Sequence, residues 1–381
     1  MKKLSNFYLG GLLLTGLFFM QPLMGQKVGN LKFTNVQQAV EKGEMGFLGQ
    51  GFTMSSNGFF NRLPQDINGV VRKDVWDLGR NSAGIAVRFR TNSKCIGAKW
   101  TLLNNFNMAH MAGTGIRGMD LYSYTNGEWI FAGTAQPNGK ESANIFRRNM
   151  DGNYRDYIMY LPLYDGIVKL EIGIDSAAVI EYPKEQSLLG NMQRNKSLPI
   201  VFYGTSVTQG GCASRPGMAY PAIIERKLNR ETINLGFSGN GRMDKVMADK
   251  IATIKAYAYV VDCLANCTYD IVKDSTEYFI KTIAGANPKV PVYMVSNYCY
   301  PYQYLDSNFR KDLGEENTLW RNLYKKLRKE GYKNLKYIDL SGHNIMRKSA
   351  AGPDSEGTVD GVHLTDLGFL RLAKVFCKYL R

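Results

Sequence analysis

Two short segments of the sequence contain the residue types that nucleophilic hydrolysis needs. Ser206 lies just past the apolar run 199–203, and Asp360 and His363 form an Asp-x-x-His motif near the C-terminus. An apolar run that breaks into a loop of small residues is typical of a parallel strand that delivers a side chain to the carboxyl edge of a sheet. Serine, aspartate and histidine can serve as nucleophile, orienting group and base. We therefore predict a catalytic triad of Ser206, His363 and Asp360.

The spacing within this triad restricts the class of hydrolase. A carboxylate three residues before a histidine can reach the near ring nitrogen and leave the far nitrogen for a serine hydroxyl. The residue two after Ser206 is Thr208, so the sequence lacks the second glycine of the Gly-x-Ser-x-Gly elbow of α/β-hydrolases. The chain has three histidines, and only His363 has an aspartate at this spacing. His363 is therefore the predicted base.

Four segments in the C-terminal half resemble the sequence blocks of the SGNH, or GDSL-like, hydrolases. Gly204-Thr205-Ser206 is similar to the Gly-Asp-Ser block, with Thr205 where the family often has aspartate. Residues 234–240 resemble the glycine block, and Asp360 to His363 match the Asp-x-x-His block. Residues 262–266 resemble a divergent Gly-x-Asn-Asp block. They keep its Asn, as Asn266, but lack its Gly and the Asp that follows the Asn. The resemblance spans residues 199–381.

This resemblance implies a serine esterase with an oxyanion hole built from the backbone of Ser206, Gly239 and the side chain of Asn266. Acyl transfer develops negative charge on the carbonyl oxygen, and preorganised N–H groups stabilise that charge. A glycine lets the backbone approach closely, and an asparagine donates an N–H without a charge. The resemblance implies no cofactor and no metal. His110, in a Gly- and Met-rich segment, and Arg215 are further candidates for substrate binding.

Residues 27–180 have the pattern of an all-β domain. Ile85, Val87 and Phe89 alternate with other residues, and Asn126-Gly127 predicts a type I′ hairpin within residues 119–132. A second hairpin is predicted around Asp165-Gly166, within residues 154–174. Many short strands with Gly and Asn turns favour a β-sandwich of jelly-roll type. Several SGNH proteins that this chain resembles also carry an N-terminal β-sandwich.

The pattern changes after a polar linker at residues 181–198, and strands then alternate with helices up to residue 381. This alternation predicts a three-layer α/β domain with a parallel sheet. The predicted strands cover residues 199–203, 232–235, 258–264, 290–296 and 335–340. The predicted helices cover residues 218–229, 243–255, 270–284, 315–331 and 365–379.

Residues 1–25 have the pattern of a secretory signal peptide. Lys2 and Lys3 precede an apolar run at residues 9–20, and Gly25 is a small residue at the predicted cut. A retained anchor is the alternative, but the run is shorter than the ~20 residues that span a bilayer. We therefore expect an exported protein, periplasmic or extracellular, without stable membrane insertion. A disulfide between Cys212 and Cys263 is left open.

The net charge of +15 is large but spread along the chain. A basic surface is the simpler interpretation, and attraction to an acidic polysaccharide is the alternative. Nothing in the sequence resembles a nucleic-acid recognition motif. The expected function is a secreted serine esterase that removes acyl groups, acetyl above all, from a polysaccharide or another small ester. The alternatives are a non-catalytic carbohydrate-binding protein with a decayed hydrolase domain, and an acylhydrolase of lipids or thioesters.

Overall fold

The computed structural model describes residues 28–52, 58–183, 198–346 and 355–381. The predicted signal peptide at residues 1–25 and most of the predicted linker, residues 184–197, lie outside these ranges. Among the described residues, no helix is both long enough and apolar enough to span a membrane. The six cysteines are all free, so Cys212 and Cys263 are not joined in a disulfide.

The N-terminal region, residues 28–183, builds two antiparallel sheets. One sheet has the strand order β1-β9-β4-β7, and the other has the order β10-β3-β8-β5-β6 with β2 added beside β3. The strands are β1 (Leu31–Asn35), β2 (Gly46–Leu48), β3 (Ala86–Thr91), β4 (Ile96–Leu102), β5 (Met119–Thr125), β6 (Glu128–Ala135), β7 (Glu141–Arg147), β8 (Arg155–Tyr160), β9 (Ile167–Asp175) and β10 (Ile180–Glu181). Short helices α1 (Val36–Glu41), α2 (Lys73–Gly79) and α3 (Gly113–Ile116) connect them.

A shared apolar core joins the two sheets into the predicted sandwich. Val87 and Phe89 of β3 lie in the same buried cluster as Ala98 and Trp100 of β4, which belongs to the other sheet. The alternation seen in the sequence is therefore the inward face of β3. The hairpin β5–β6 is confirmed, and both turn residues have the positive φ that a type I′ turn requires, 52° at Asn126 and 86° at Gly127.

The second predicted hairpin, around Asp165-Gly166, is wrong. Strand β8 lies in one sheet and β9 in the other, so the segment between them crosses the sandwich. The Asp165 side chain explains why the chain does not turn back there. Its carboxylate accepts backbone N–H groups from Asn105 at 2.7 Å and Phe106 at 3.0 Å, which ties the crossing to the loop at residues 103–112. A short polar turn signal cannot show this distant partner.

The C-terminal domain, residues 198–381, has the predicted parallel sheet. Its strand order is β12-β11-β13-β14-β15, and every pairing is parallel. The strands are β11 (Ile200–Gly204), β12 (Thr232–Gly236), β13 (Ala258–Asp262), β14 (Val292–Val295) and β15 (Leu335–Ile338). The helices are α4 (Ser206–Gln209), α5 (Tyr220–Leu228), α6 (Lys245–Ala252), α7 (Tyr269–Ala286), α8 (Ser307–Lys329) and α9 (Asp366–Tyr379).

Helices cover both faces of this sheet. Helices α5 and α9 pack together, and the neighbours α6, α7 and α8 pack in series. Helix α8 begins at Ser307, well before the predicted start at residue 315. Its first turn is fixed by Asp306, whose carboxylate accepts N–H groups from Asn308 and Phe309. The early turns of α8 are largely exposed, so they lack the apolar period on which the prediction depended.

Two of the buried polar contacts between the sandwich and the C-terminal domain are made by Arg62 and Tyr160. Arg62, only 2% exposed, donates from its Nη1 to the carbonyl oxygens of Asn234 and Gly236 in β12 at 3.1 and 2.6 Å. Its Nε and Nη2 donate to carbonyl oxygens within the N-terminal region. In the second contact, the Tyr160 hydroxyl donates to the Glu225 carboxylate at 2.7 Å. Since such groups are costly to bury without partners, these contacts favour one relative placement of the two parts.

Candidate active site

The candidate site lies at the carboxyl edge of the parallel sheet, around the end of β11. This strand lies between β12 and β13. The chain therefore forms β12 on one side of β11 and then crosses to form β13 on the other side. Such a switch point opens a crevice at the strand ends, where ligands bind in open α/β folds. The strand ends at Gly204, where a Cβ would lie 1.9 Å from Thr208 Oγ1. Only glycine allows α4 to begin so close to the strand.

Ser206, His363 and Asp360 form a continuous chain of hydrogen bonds. Ser206 is the first residue of α4, and its Oγ lies 3.0 Å from His363 Nε2. His363 Nδ1 lies 2.7 Å from Asp360 Oδ2. Thr205, which replaces the aspartate common in the resembling family, caps α4 by accepting the Val207 N–H at 3.2 Å. The departure from the family pattern therefore leaves the serine well supported.

The Asp-x-x-His turn is held by its own backbone. Asp360 Oδ1 accepts the N–H groups of Val362 at 2.9 Å and His363 at 2.7 Å. Partial burial opposes ionisation, but the hydrogen bonds from the His363 side chain and from these two backbone groups prevail and lower the pKa of Asp360 to about 2. Tyr302 adds a contact between its hydroxyl and the Asp360 carbonyl oxygen. Asp360 is therefore a fixed, ionised partner for His363.

The two other candidate donors, Gly239 and Asn266, follow the neighbouring strands β12 and β13. Gly239 has a φ of +67° in a turn closed by the Asn240 N–H to the Phe237 carbonyl. Asn266 Oδ1 accepts the Gly241 N–H at 3.3 Å, and this hydrogen bond does not use the Asn266 amide nitrogen. Gly239 and Asn266 line the same cavity, together with Val362 of the Asp-x-x-His turn. Three of the four sequence blocks thus contribute to this cavity, and Ser206 is not among the residues that line it.

The loop that follows β12, residues 237–241, is called the glycine loop. It is also held by a residue of the N-terminal region, which the sequence did not predict. Arg72, just before α2, contacts the side chains of Asn240 at 2.7 Å and Asp244 at 2.6 Å. The side-chain hydrogen bond to Asp244 raises the pKa of Arg72 despite its partial burial. The arginine lies far from Asn240 in the sequence, in a segment without a motif, so no local signal identifies it.

The cavity beside Gly239 and Asn266 has a volume of 430 Å³. One wall of it comes from the segment before α8 and from α8 itself, and includes Tyr300, Phe309, Leu313 and Glu316. Burial, reinforced by the neighbouring Asp312, raises the pKa of Glu316 to about 7. The sequence did not indicate Phe309 and Leu313 because α8 was predicted to begin after them.

The two candidates for substrate binding have different surroundings. His110 is exposed on the loop at residues 103–112, and its ring centre lies 5.4 Å from that of His363. Arg215 is instead paired with the buried Asp120 at 2.5 Å and with the Tyr122 hydroxyl at 2.5 Å. His110 therefore faces the site, whereas the Arg215 guanidinium joins the C-terminal domain to the sandwich.

Comparison with known proteins identifies the family. The model of the GDSL-like lipase/acylhydrolase family matches residues 197–381, and a model of the N-terminus of SGNH-hydrolase-type esterases matches residues 31–180. A solved structure of a GDSL-like lipase from Bacteroides ovatus ATCC 8483 is 33% identical, with a TM-score of 0.81 over 91% of this chain and 96% of that chain. The chain belongs to the GDSL-like lipase/acylhydrolase family. No curated protein matches it significantly.

More distant structures share the fold of this GDSL-like acylhydrolase. A salicylyl-acyltransferase from a tetracycline biosynthetic pathway is 15% identical, with a TM-score of 0.70 over 91% of this chain and 96% of that chain. An acetyl xylan esterase from the rumen bacterium Butyrivibrio proteoclasticus is 12% identical, with a TM-score of 0.53 over 92% and 98% of the two chains. Both likenesses extend across the sandwich and the parallel-sheet domain.

Proposed function

We propose that this GDSL-like acylhydrolase is a serine esterase whose catalytic residues are Ser206, His363 and Asp360. The observation that carries the proposal is the unbroken hydrogen-bond chain from Ser206 Oγ through both ring nitrogens of His363 to Asp360 Oδ2. Nucleophile, base and orienting group in this relation define a triad by geometry and not by sequence position.

Each residue has a distinct part in the proposed reaction. Ser206 Oγ attacks the ester carbonyl while its proton passes to His363 Nε2, and Asp360 stabilises the imidazolium that forms. The backbone N–H groups of Ser206 and Gly239 and the Asn266 amide donate to the carbonyl oxygen as it becomes negative. His363 returns the proton to the leaving alcohol. His363 then takes a proton from a water molecule, which attacks the acyl-enzyme. The acid is released and the proton returns to Ser206.

The proposed substrate is an acyl ester, most of all an acetyl ester, on a polysaccharide outside the cytoplasm. The signal-peptide pattern at residues 1–25 supports export. A second cavity of 390 Å³ supports a carbohydrate, because it combines the exposed ring of Phe106 with polar side chains such as Asn81, Asn104 and Asp77. It also includes Ser238 and Asn240 of the glycine loop, so a sugar bound there would lie beside the proposed oxyanion hole.

A second candidate function is hydrolysis of longer acyl esters or thioesters. The 430 Å³ cavity favours it, because Tyr300, Phe309 and Leu313 offer an apolar wall that an acetyl group would not fill. A series of p-nitrophenyl esters of increasing chain length separates the two: acetyl specificity gives a kcat/KM that falls with length. A panel of acetylated glycans, assayed for acetate release, then identifies the sugar.

The proposal is tested by replacing Ser206 with alanine. We expect Ser206→Ala to abolish turnover of p-nitrophenyl acetate and labelling by an organophosphonate, because only the nucleophilic oxygen is removed. The melting temperature should stay close to that of the wild type. Ser275→Ala, on α7 and away from the site, is the matched control and should retain full activity. Turnover by the Ser206→Ala variant would overturn the assignment of Ser206 as the nucleophile. A wild-type chain without turnover would favour the alternative of a non-catalytic carbohydrate-binding protein with a decayed hydrolase domain.

A further inference from the structure

His110 and Cys212 lie beside the proposed base, His363, and these three side chains form a cluster that could hold a metal ion. One ring nitrogen of each histidine and the Cys212 sulfur all lie within 4.8 Å of one another. The three residues come from the sandwich loop, the segment after α4 and the Asp-x-x-His turn. We propose that this cluster binds a borderline-soft divalent cation, with Zn²⁺ as the best fit, and that the bound ion switches the esterase off.

The backbone holds the Cys212 segment against the His110 loop. A Cβ on Gly115 would lie 2.2 Å from the Ala213 carbonyl oxygen, so the two segments are in direct contact. The Thr114 hydroxyl donates to the Ser214 carbonyl at 2.6 Å. Ser214 in turn donates its N–H to Asp366, at the start of α9, at 2.9 Å. The backbone that follows Cys212 is thus held against α3 and α9 by contacts that do not depend on any ion.

The donor set selects the kind of ion. Two imidazole nitrogens and one sulfur suit Zn²⁺ and similar ions, whereas Mg²⁺ and Ca²⁺ prefer oxygen ligands. Zn–N and Zn–S bonds of ~2.0–2.3 Å require the donors to move somewhat closer together, and His110 is the exposed member of the set. Binding replaces the Cys212 S–H bond with an S–Zn bond and releases the proton to water. Both histidines bind through neutral nitrogens, and water completes the tetrahedron.

The effect on catalysis rests on the proposed esterase function. His363 Nδ1 is held by Asp360 at 2.7 Å, so the lone pair available to an ion is that of Nε2. Nε2 is also the atom 3.0 Å from Ser206 Oγ that would accept the serine proton. One lone pair cannot serve both, and the bound ion therefore removes the base. The exposed His110 leaves a path by which the ion can enter.

Metal binding is tested first without reference to activity. Ser206→Ala protein retains all three ligands, and Co²⁺ added to it should produce a thiolate-to-cobalt charge-transfer absorption at one ion per chain, which Zn²⁺ then abolishes. Cys212→Ser should eliminate this absorption, and His110→Ala should weaken Co²⁺ binding. Cys299→Ser, at a partly exposed thiol outside the cluster, is the control and should retain the signal. Absence of the absorption, or its survival in Cys212→Ser, would overturn the proposal.

Inhibition is tested on the wild-type protein, which retains Ser206, with p-nitrophenyl acetate as substrate. Zn²⁺ should inhibit turnover and EDTA should restore it, whereas Mg²⁺ should have no effect. Cys212→Ser should raise the half-inhibitory Zn²⁺ concentration on the order of 10-fold or more, because a ligand is lost. His343→Ala, outside the cluster, should leave inhibition unchanged. Equal inhibition of wild type and Cys212→Ser would refute the switch. A chain without esterase activity would refute the proposed function, and the Co²⁺ titration would still decide whether the ion binds.

Discussion

Asn266 is positioned by a backbone contact that does not use its amide nitrogen. Its Oδ1 accepts the Gly241 N–H at 3.3 Å, so the amide group is oriented before any substrate arrives. We predict that Asn266→Ala lowers kcat on the order of 10²–10³-fold with little change in KM, because the donor acts mainly in the transition state. Steady-state kinetics with p-nitrophenyl acetate measure both constants. A change confined to KM would place Asn266 in ground-state binding instead.

Asp360 and His363 are expected to act as one unit. Asp360→Asn keeps the shape but removes the charge and favours the wrong tautomer of His363, so we predict a loss in kcat of up to ~10⁴-fold. His363→Ala should be at least as damaging, and the double variant should lose little more than the worse single variant. Multiplicative losses would mean that the two residues work independently. His110 would then be the first alternative base to test.

The pKa of Asp360 also sharpens the expected pH dependence of kcat. Because hydrogen bonds lower this pKa to about 2, Asp360 stays ionised throughout the usual assay range. Any acid limb above pH ~4 should therefore report a group other than Asp360.

The residues of the triad were accessible to sequence reasoning, whereas those of the cavity wall were not. Asp360 and His363 are three positions apart, so their contact is local, and Ser206 is marked by the strand before it. Their catalytic roles remain predictions until the variants are measured. Arg72 and Glu316 reach the site from distant segments, and neither lies in a motif that the sequence displays. Contacts of that kind depend on tertiary packing, which a local pattern does not encode.

At the scale of elements, the glycine loop after β12 fits against the end of β11 only because Gly241 lacks a side chain. A Cβ on Gly241 would lie 2.3 Å from the Gly204 carbonyl oxygen, so the loop or the end of β11 would have to move. We predict that Gly241→Ala costs about 1–3 kcal/mol of stability and lowers kcat, since both strand ends carry site residues. Urea unfolding and kinetics measure the two effects.

Gly314 provides the matched control for that substitution. It lies inside α8, and a Cβ there would have no atom within 4 Å. Gly314→Ala should therefore stabilise the protein by ~0.5–1 kcal/mol, because alanine loses less backbone entropy in a helix. Equal destabilisation by the two substitutions would contradict the steric explanation for Gly241.

Whether the sequence predicts an element depends on which interactions determine that element. The five parallel strands follow their apolar runs, and the turn at Asn126-Gly127 is fixed by local φ preference, so pattern alone predicts both. The crossing at Asp165 and the early start of α8 depend on capping carboxylates. In both cases the signal is a single acidic residue. The partners of Asp165 are distant in the sequence, whereas those of Asp306 are local but precede the apolar period of α8.

At the scale of the whole molecule, Glu225 makes the contact between sandwich and C-terminal domain sensitive to pH. Burial raises the pKa of Glu225 from 4.5 to about 7, although hydrogen bonds from the Thr232 N–H and the Tyr160 hydroxyl favour its charged form. The folded state therefore holds this proton more tightly than the unfolded state. Its contribution to stability is complete below pH ~4.5 and is lost as the pH rises to ~7.

Glu225→Gln keeps the side chain neutral at every pH and should remove this loss. We predict that the free energy of unfolding falls less between pH 5 and pH 8 in the variant than in the wild type. Urea unfolding at both pH values measures the difference. Glu128→Gln, at an exposed position of β6, is the control and should leave the wild-type slope unchanged. Identical slopes for all three proteins would contradict the role given to Glu225.

Arg62 has a consequence for how such chains can diverge. The oxygens to which it donates, those of Leu78, Asn81, Asn234 and Gly236, all belong to peptide groups. A peptide carbonyl is the same whatever side chain its residue carries. The hydrogen bonds of Arg62 therefore do not depend on which amino acid supplies each carbonyl. Lysine could not reproduce the planar fork of donors. A substitution at Leu78 or Asn81 would therefore leave the accepting oxygen of this contact in place, whereas replacement of Arg62 would remove all four hydrogen bonds.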